Sequence, residues 1–254
     1  VAFGRNLRRK ARPILGGSRI QALVYNQLEK AEINAYKARS PLFFGYNDDI
    51  VLKEKMVKLA KCLEANNGYT VMNRDFAAFD TTVSPDLRRT VDAITCTKTI
   101  DLRGKDIAFC RSVSHFKSLL INGLENRVRR IYGRIFSGEI DTNAGGGKVN
   151  ALVNIYSIMH FDPSCRTISK QLTKTGTSPL CVMGDDNLLV HRKDLDDQKY
   201  SSFIKDNFGL SVSSEKGEYG LFFLQRRLFK TNKGSYVMIT PFTRIIRSLA
   251  NKEM

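Results

Sequence analysis

Two adjacent carboxylates, Asp185 and Asp186, follow Gly184 between the apolar runs Leu180-Cys181-Val182-Met183 and Leu188-Leu189-Val190. Two short strands around a tight turn fit this pattern, because Gly and Asp are turn residues. Neighbouring carboxylates repel each other, so the turn calls for a cation. A divalent metal, which takes hard oxygen ligands, is the natural one. A second carboxylate segment lies upstream: a strand beginning at Tyr69 would end in Asp75-Phe76, with Asp80 soon after. Carboxylates on two facing strand ends suit phosphoryl transfer by two metals. One ion lowers the pKa of an attacking hydroxyl, and both neutralise charge on the phosphate. Taken singly, Gly-Asp-Asp is also an ordinary hairpin turn and Asp75 an ordinary strand end. The occurrence of both motifs together is what points to chemistry.

The elements that must position these residues are legible from periodicity and caps. Helices are expected over 18–38, with Ser18 as N-cap and Ile20, Leu23, Val24, Leu28, Ala31 and Ile33 in register, and over 50–64, stopped by Asn66-Asn67-Gly68. Pro85 after Ser84 predicts a helix over 85–96. Further helices are expected over 106–116, 148–160 and 195–207, and after Pro241. The helix at 148 follows a glycine-rich loop, Gly145-Gly146-Gly147. Residues 5–14 read as a basic loop or strand ending at Pro13, and strands with turns are expected across 119–136. Short strands should follow at 210–213, 221–225 and 236–239. The fold class is α+β, a mainly antiparallel sheet backed by helices.

The chain has 254 residues, enough for a real core, and a formal net charge of +16. With a sequence pI of about 9.8, a polyanion is the first partner to consider, solvated surface lysines being the alternative. Arginine-rich clusters crowd 5–12, 127–134 and 226–233, and arginine forks suit phosphate. No run approaches the ~20 apolar residues of a membrane span. Five cysteines without a C-x-x-C pair predict free thiols in a reducing compartment, and three histidines without an H-E-x-x-H pattern argue against zinc. The chain opens on Val1 rather than Met and ends at Met254 inside an apparent helix, so a fragment of a longer protein is expected.

The segment Arg74-Asp75-Phe76-Ala77-Ala78-Phe79-Asp80-Thr81-Thr82-Val83 resembles motif A of viral RNA-dependent RNA polymerases, and Val182-Met183-Gly184-Asp185-Asp186-Asn187 resembles motif C. Between them Gly145 to Asn154 is similar to motif B. Phe208 to Lys216 resembles motif D, Phe223 to Phe229 motif E, and Arg9 to Gly16 motif F of partitiviruses and picobirnaviruses. The order F, A, B, C, D, E is that of the family, nearest to its partitivirus, picobirnavirus and picornavirus-like branches, and it covers nearly the whole chain.

The resemblance implies a right-hand polymerase palm. Residues 1–68 would be partial fingers, 69–97 palm, 98–140 a fingers insertion, 141–230 palm and 231–254 the start of a thumb. It implies Asp75 and Asp185 as principal metal ligands, with Asp186 as a secondary ligand or electrostatic support, for two Mg²⁺ ions or Mn²⁺ as substitute. Asp80 would accept from the ribose 2′-OH, with Asn154 as its partner. Asp80 is otherwise a capping residue for the turn after it, and Asn154 otherwise a helix-packing residue. Gly146 matches the loop glycine of motif B. The family usually has Ser before it and Thr four residues after it, where this chain has Gly145 and Asn150. The loop should therefore be more mobile, and Asn150 should reach the nucleotide differently. Lys216 matches the motif D general acid, with a solvated loop lysine as the alternative. Lys10 and Arg12 would contact the triphosphate or the RNA backbone. Arg226 and Arg227 would lie near the nascent strand, with strand alternation directing one of them inward. Phe43, Phe44 and Tyr46 suit base stacking or, better, a buried core.

The implied activity is RNA-directed ribonucleotidyl transfer from NTP to an RNA 3′-OH during viral genome replication or transcription. The implied partners are RNA template, nascent strand, NTPs and viral capsid or replication proteins. The implied setting is the host cytoplasm, or the interior of a virion or replication complex. Two rivals stand beside it: a reverse transcriptase on the same palm, which Asp80 opposes, and a non-catalytic basic RNA-binding protein.

Overall fold

The computed structural model describes residues 2–5, 12–15, 30, 33–37, 40–97, 119–122, 127–130, 142–215, 221–224 and 226–240. The expected helices at 106–116 and after Pro241, and the residues Lys10 and Lys216, lie outside these. Of the expected helix at 18–38, Lys30 and residues 33–37 are described, and they are helical.

At the N-terminal end β1 (Ala2–Arg5) pairs antiparallel with β2 (Arg12–Leu15), setting Arg5 against Arg12, while most of the expected basic loop or strand at 5–14 lies outside the described residues. A 3-10 helix spans Pro41–Tyr46. It buries Phe43 and Tyr46, which are therefore core aromatics and not base-stacking platforms. Helix α1 (Asp49–Ala65) starts where the Asp48 carboxylate accepts from the Val51 N–H, and ends where the Asn66 N–H turns back to the Leu63 carbonyl. Leu52, Met56 and Leu59, spaced by four and three, form its buried stripe.

Strand β3 (Tyr69–Phe76) buries Met72, Arg74 and Phe76 while the intervening Asp75 is exposed, a period of two. The short helix α2 (Phe79–Thr82) follows. Helix α3 (Pro85–Thr97) has Pro at its first position, and the Ser84 hydroxyl accepts from the Leu87 N–H at 3.1 Å. Strands β4 (Leu119–Asn122) and β5 (Arg127–Arg130) pair antiparallel, as expected for this segment. Helix α4 (Thr142–Phe161) begins well before 148 and takes in the whole glycine run.

Helix α5 (Cys165–Lys174) has no counterpart among the sequence expectations. Only Cys165, Ile168 and Leu172 are buried on an otherwise polar helix, a thin signal. The hairpin β6 (Leu180–Met183) and β7 (Asp186–Arg192) falls where the apolar runs placed it. Helix α6 (Asp197–Phe208) is capped by the Asp196 carboxylate at one end and by Gly209, at φ 69°, at the other. The next strand, β8 (Val212–Glu215), starts two residues later than expected. It is followed by β9 (Leu221–Phe223), β10 (Arg226–Lys230) and β11 (Tyr236–Ile239).

Two antiparallel sheets result among the described residues besides the two hairpins. One runs β6-β7-β3-β8 and the other β11-β10-β9. Helix α4 packs on β6 and on α6, and the 3-10 helix covers β6. One hydrophobic core joins α1, β3, α4, α5, β6, β7, α6, β9 and β10. Strand β7 is covered on both faces, so Asn187 to His191 are all buried. Cys62, Cys165 and Cys181 are free thiols. No described helix is long and apolar enough to cross a membrane.

His191 sits on the buried strand with Nδ1 2.7 Å from the Arg192 carbonyl and Nε2 buried without a hydrogen-bond partner. Burial pushes its pKa down. The Arg192 carbonyl opposes the shift, Arg74 adds to it, and Asp197 and Asp162 oppose it. The unfolded imidazole gains its proton near pH 6.5 and the folded one only at lower pH. Stability from this residue is thus complete above about pH 6.5 and is lost as pH falls through the folded pKa. Melting temperatures taken from pH 7.5 down to 5.5 should fall, and fall less steeply in His191→Gln; equal slopes would refute the assignment.

Candidate active site

Met183 pairs with Asp186, which leaves Gly184-Asp185 as a two-residue turn. Gly184 holds φ 62° and Asp185 does not share that sign, the pattern of a type II′ hairpin turn with glycine first. That φ requires glycine, and a Cβ there would also press to 3.0 Å from Asn143 Oδ1. The same hairpin is stitched to β3. The β3–β7 register runs from Tyr69 opposite Arg192 to Arg74 opposite Asn187, and one further step sets Asp75 against Asp186. Asp75 is also opposite Ser213 of β8, so it stands at the centre of the sheet's end. Asp75, Asp185 and Asp186 therefore meet at one end of the four-stranded sheet, Asp185 half-buried and the other two exposed.

Among the described residues no three His, Cys, Asp or Glu side chains form a metal-holding group. The expected three-carboxylate ligand set of Asp75, Asp185 and Asp186 is to that extent not assembled. The donor set still fits Mg²⁺. That ion commonly takes one or two carboxylates, keeps waters and completes its shell with substrate phosphate oxygens.

The glycine run corrects an expectation. Gly145-Gly146-Gly147 is helical, part of α4, and buried. A Cβ on Gly147 would lie 3.1 Å from the Tyr46 hydroxyl and 3.4 Å from the Gly184 nitrogen; one on Gly146 would lie 3.3 Å from Phe79 Cε1 and 3.8 Å from Gly184 Cα. Gly146 and Gly147 let the helix lie against the turn, at a cost of ~1 kcal/mol each relative to Ala in a helix.

Asn150 and Asn154 are a second correction. Both are fully buried. The Asn150 amide nitrogen donates to the carbonyls of Gly184 at 3.0 Å, Asp185 at 2.9 Å and Asp186 at 3.3 Å. Its oxygen accepts from Asn154 Nδ2 at 2.7 Å, and the Asn154 oxygen accepts from the Tyr200 hydroxyl at 3.0 Å. Every polar atom of both amides is thus engaged inside the protein. Asn154 is bonded to Asn150 and Tyr200 rather than to Asp80. Asp80 is half-buried in the first turn of α2, just past the end of β3.

The two arginines of β10 divide as strand alternation requires. Arg226 pairs with Asp49 at 2.6 Å and donates to the Leu224 carbonyl, which ties β10 to the start of α1. Arg227 is exposed, with its guanidinium 5.5 Å from the centre of the Phe222 ring. Arg12 lies in β2, where only the backbone is described.

Arg74, Asp197 and Tyr200, to which the sequence assigned no role, support the site. Arg74, the neighbour of Asp75, is buried, pairs with Asp197 at 2.8 Å and lies 4.0 Å from the centre of the Tyr200 ring. Tyr200 and Ile204 form the buried stripe of α6, so helical spacing alone assigns Tyr200 to the core. Burial pushes the Tyr200 phenol well above its ordinary range, so it stays protonated and able to donate.

No sequence-family model and no curated protein matches the chain. Solved structures do match. The RNA-dependent RNA polymerase of a human picobirnavirus and its insertion-loop deletion mutant each align with a TM-score of 0.70 at 14% identity, over 94% of this chain and 45% of theirs. The fold is thus shared with these polymerases, and the chain spans less than half their length.

Proposed function

We propose that this chain is the catalytic region of a template-directed RNA polymerase, which joins ribonucleoside triphosphates to the 3′-hydroxyl of RNA. The observation that carries the reading is the sheet register, which brings Asp75 on β3 to the Gly184-Asp185 turn within a fold shared with viral polymerases. Asp75 and Asp185 would hold Mg²⁺, or Mn²⁺ in its place, with Asp186 in support; the bound metal would neutralise phosphate charge and lower the pKa of the attacking hydroxyl.

The chain's own residues supply the rest. The Asn150 amide fixes the backbone under Asp185. Asp80, just past the end of β3, would accept from a ribose 2′-hydroxyl, and this would favour ribonucleotides. Lys216 would donate a proton to the departing pyrophosphate. The exposed Arg227, on a chain of net charge +16, would hold the RNA backbone, with template and nascent strand as partners. The experiment is incorporation of labelled nucleotide on a primed RNA template. Incorporation should follow the template base, require Mg²⁺ or Mn²⁺, and favour ribonucleotides over deoxyribonucleotides. RNA binding without incorporation under either metal would leave only the basic RNA-binding rival.

A further inference from the structure

Asp75 and Asp185 belong to segments more than a hundred residues apart, yet one buried polar chain touches both. It starts on α6, where Asp197 Oδ1 pairs with Arg74 Nη2 at 2.8 Å. Arg74 is bonded in sequence to Asp75, and its guanidinium lies 4.0 Å from the centre of the Tyr200 ring. The Tyr200 hydroxyl donates to Asn154 Oδ1 at 3.0 Å, and Asn154 Nδ2 donates to Asn150 Oδ1 at 2.7 Å. The Asn150 amide then reaches the carbonyls of Gly184, Asp185 and Asp186. Arg74 is 2% exposed; Tyr200, Asn154 and Asn150 are 0% exposed. A chain of bonds so shielded from water has no competing solvent partners.

We propose that Tyr200 is a positioning residue, clamping the two carboxylate-bearing segments in register by its ring against Arg74 and its hydroxyl on the Asn154–Asn150 relay. Its catalytic meaning rests on the polymerase reading; the clamp itself does not. Two α4 residues that by resemblance would meet the nucleotide are thus engaged in holding the turn.

Tyr200→Phe tests this, because it keeps the ring under Arg74 and removes only the hydroxyl. Asn154→Ala breaks the same relay one step further on. Amide exchange of the 180–192 peptide should quicken about tenfold in both variants, the scale of one net hydrogen bond, while the 49–65 peptide of α1 stays unchanged. In RNA extension, kcat should fall about tenfold with KM for the NTP within about twofold. Unchanged exchange at 180–192, or an equal rise in both peptides, would overturn the clamp. A selective rise at 180–192 alongside a wild type that incorporates no nucleotide would support the clamp and sink the polymerase reading.

Discussion

Asp185→Ala should reduce templated ribonucleotide incorporation by at least about 1,000-fold while leaving the melting temperature within about 2 °C of wild type. The rate loss follows from losing a metal-supporting carboxylate, worth several kcal/mol of transition-state stabilisation, at about 1.4 kcal/mol per factor of ten. The stability forecast follows from which atoms hold the turn. Asn150 grips the backbone carbonyl of Asp185, which an alanine retains, and Gly184 supplies the unusual φ. The Asp185 side chain is half-buried and lies outside the hydrophobic core. Asp194→Ala serves as the control, because it deletes the exposed partner of Arg192 on the connection leading out of β7. That variant should extend RNA at the wild-type rate within about twofold, since exposed pairs contribute little.

The largest stability effect is expected at Asp197, and the asymmetry of its ion pair is the reason. The side chain of Arg74 is 0% exposed, whereas that of Asp197 is 24% exposed and lies in the first turn of α6. Asp197→Ala leaves a guanidinium buried without its carboxylate, a change that costs about 3–5 kcal/mol. Arg74→Met leaves a carboxylate that water and the helix N-terminus both stabilise, and replaces the guanidinium with a side chain suited to the core, so its cost should be well under half as large. Urea denaturation of the two variants measures the difference. For Asp197→Ala the melting temperature should drop by roughly 10 °C. Equal losses in the two variants would contradict the account of Arg74 as the costly partner.

The sequence revealed the parts of this fold that local chemistry dictates. The Ser84-Pro85 start of α3, the Asn66-Asn67-Gly68 stop after α1 and the apolar runs around Gly184 each announce themselves within a few residues. What it hid is set by distant neighbours. Three consecutive glycines read as a loop because nothing local shows that Tyr46, Phe79 and Gly184 crowd a helix there. Asn150 and Asn154 match a nucleotide-facing pattern, but their hydrogen bonds run to the turn and to Tyr200, 46 residues beyond Asn154. Nothing local to Arg226 shows that Asp49, from the other end of the chain, pairs with it. Helix α5 has only Cys165, Ile168 and Leu172 on its buried side, too few apolar positions to stand out. The carboxylates themselves were legible because Asp75 and Asp185 sit at strand ends, where period-two patterns and turn residues are most distinct.

Mn²⁺ diffusion into crystals of the protein grown with a non-hydrolysable NTP analogue, read by anomalous scattering, tests the central claim most directly. Manganese should be found at the Asp75 and Asp185 carboxylates beside the analogue's phosphates, and should be lost from that place in Asp185→Ala. Manganese elsewhere, or at the same place and strength in Asp185→Ala, would contradict it.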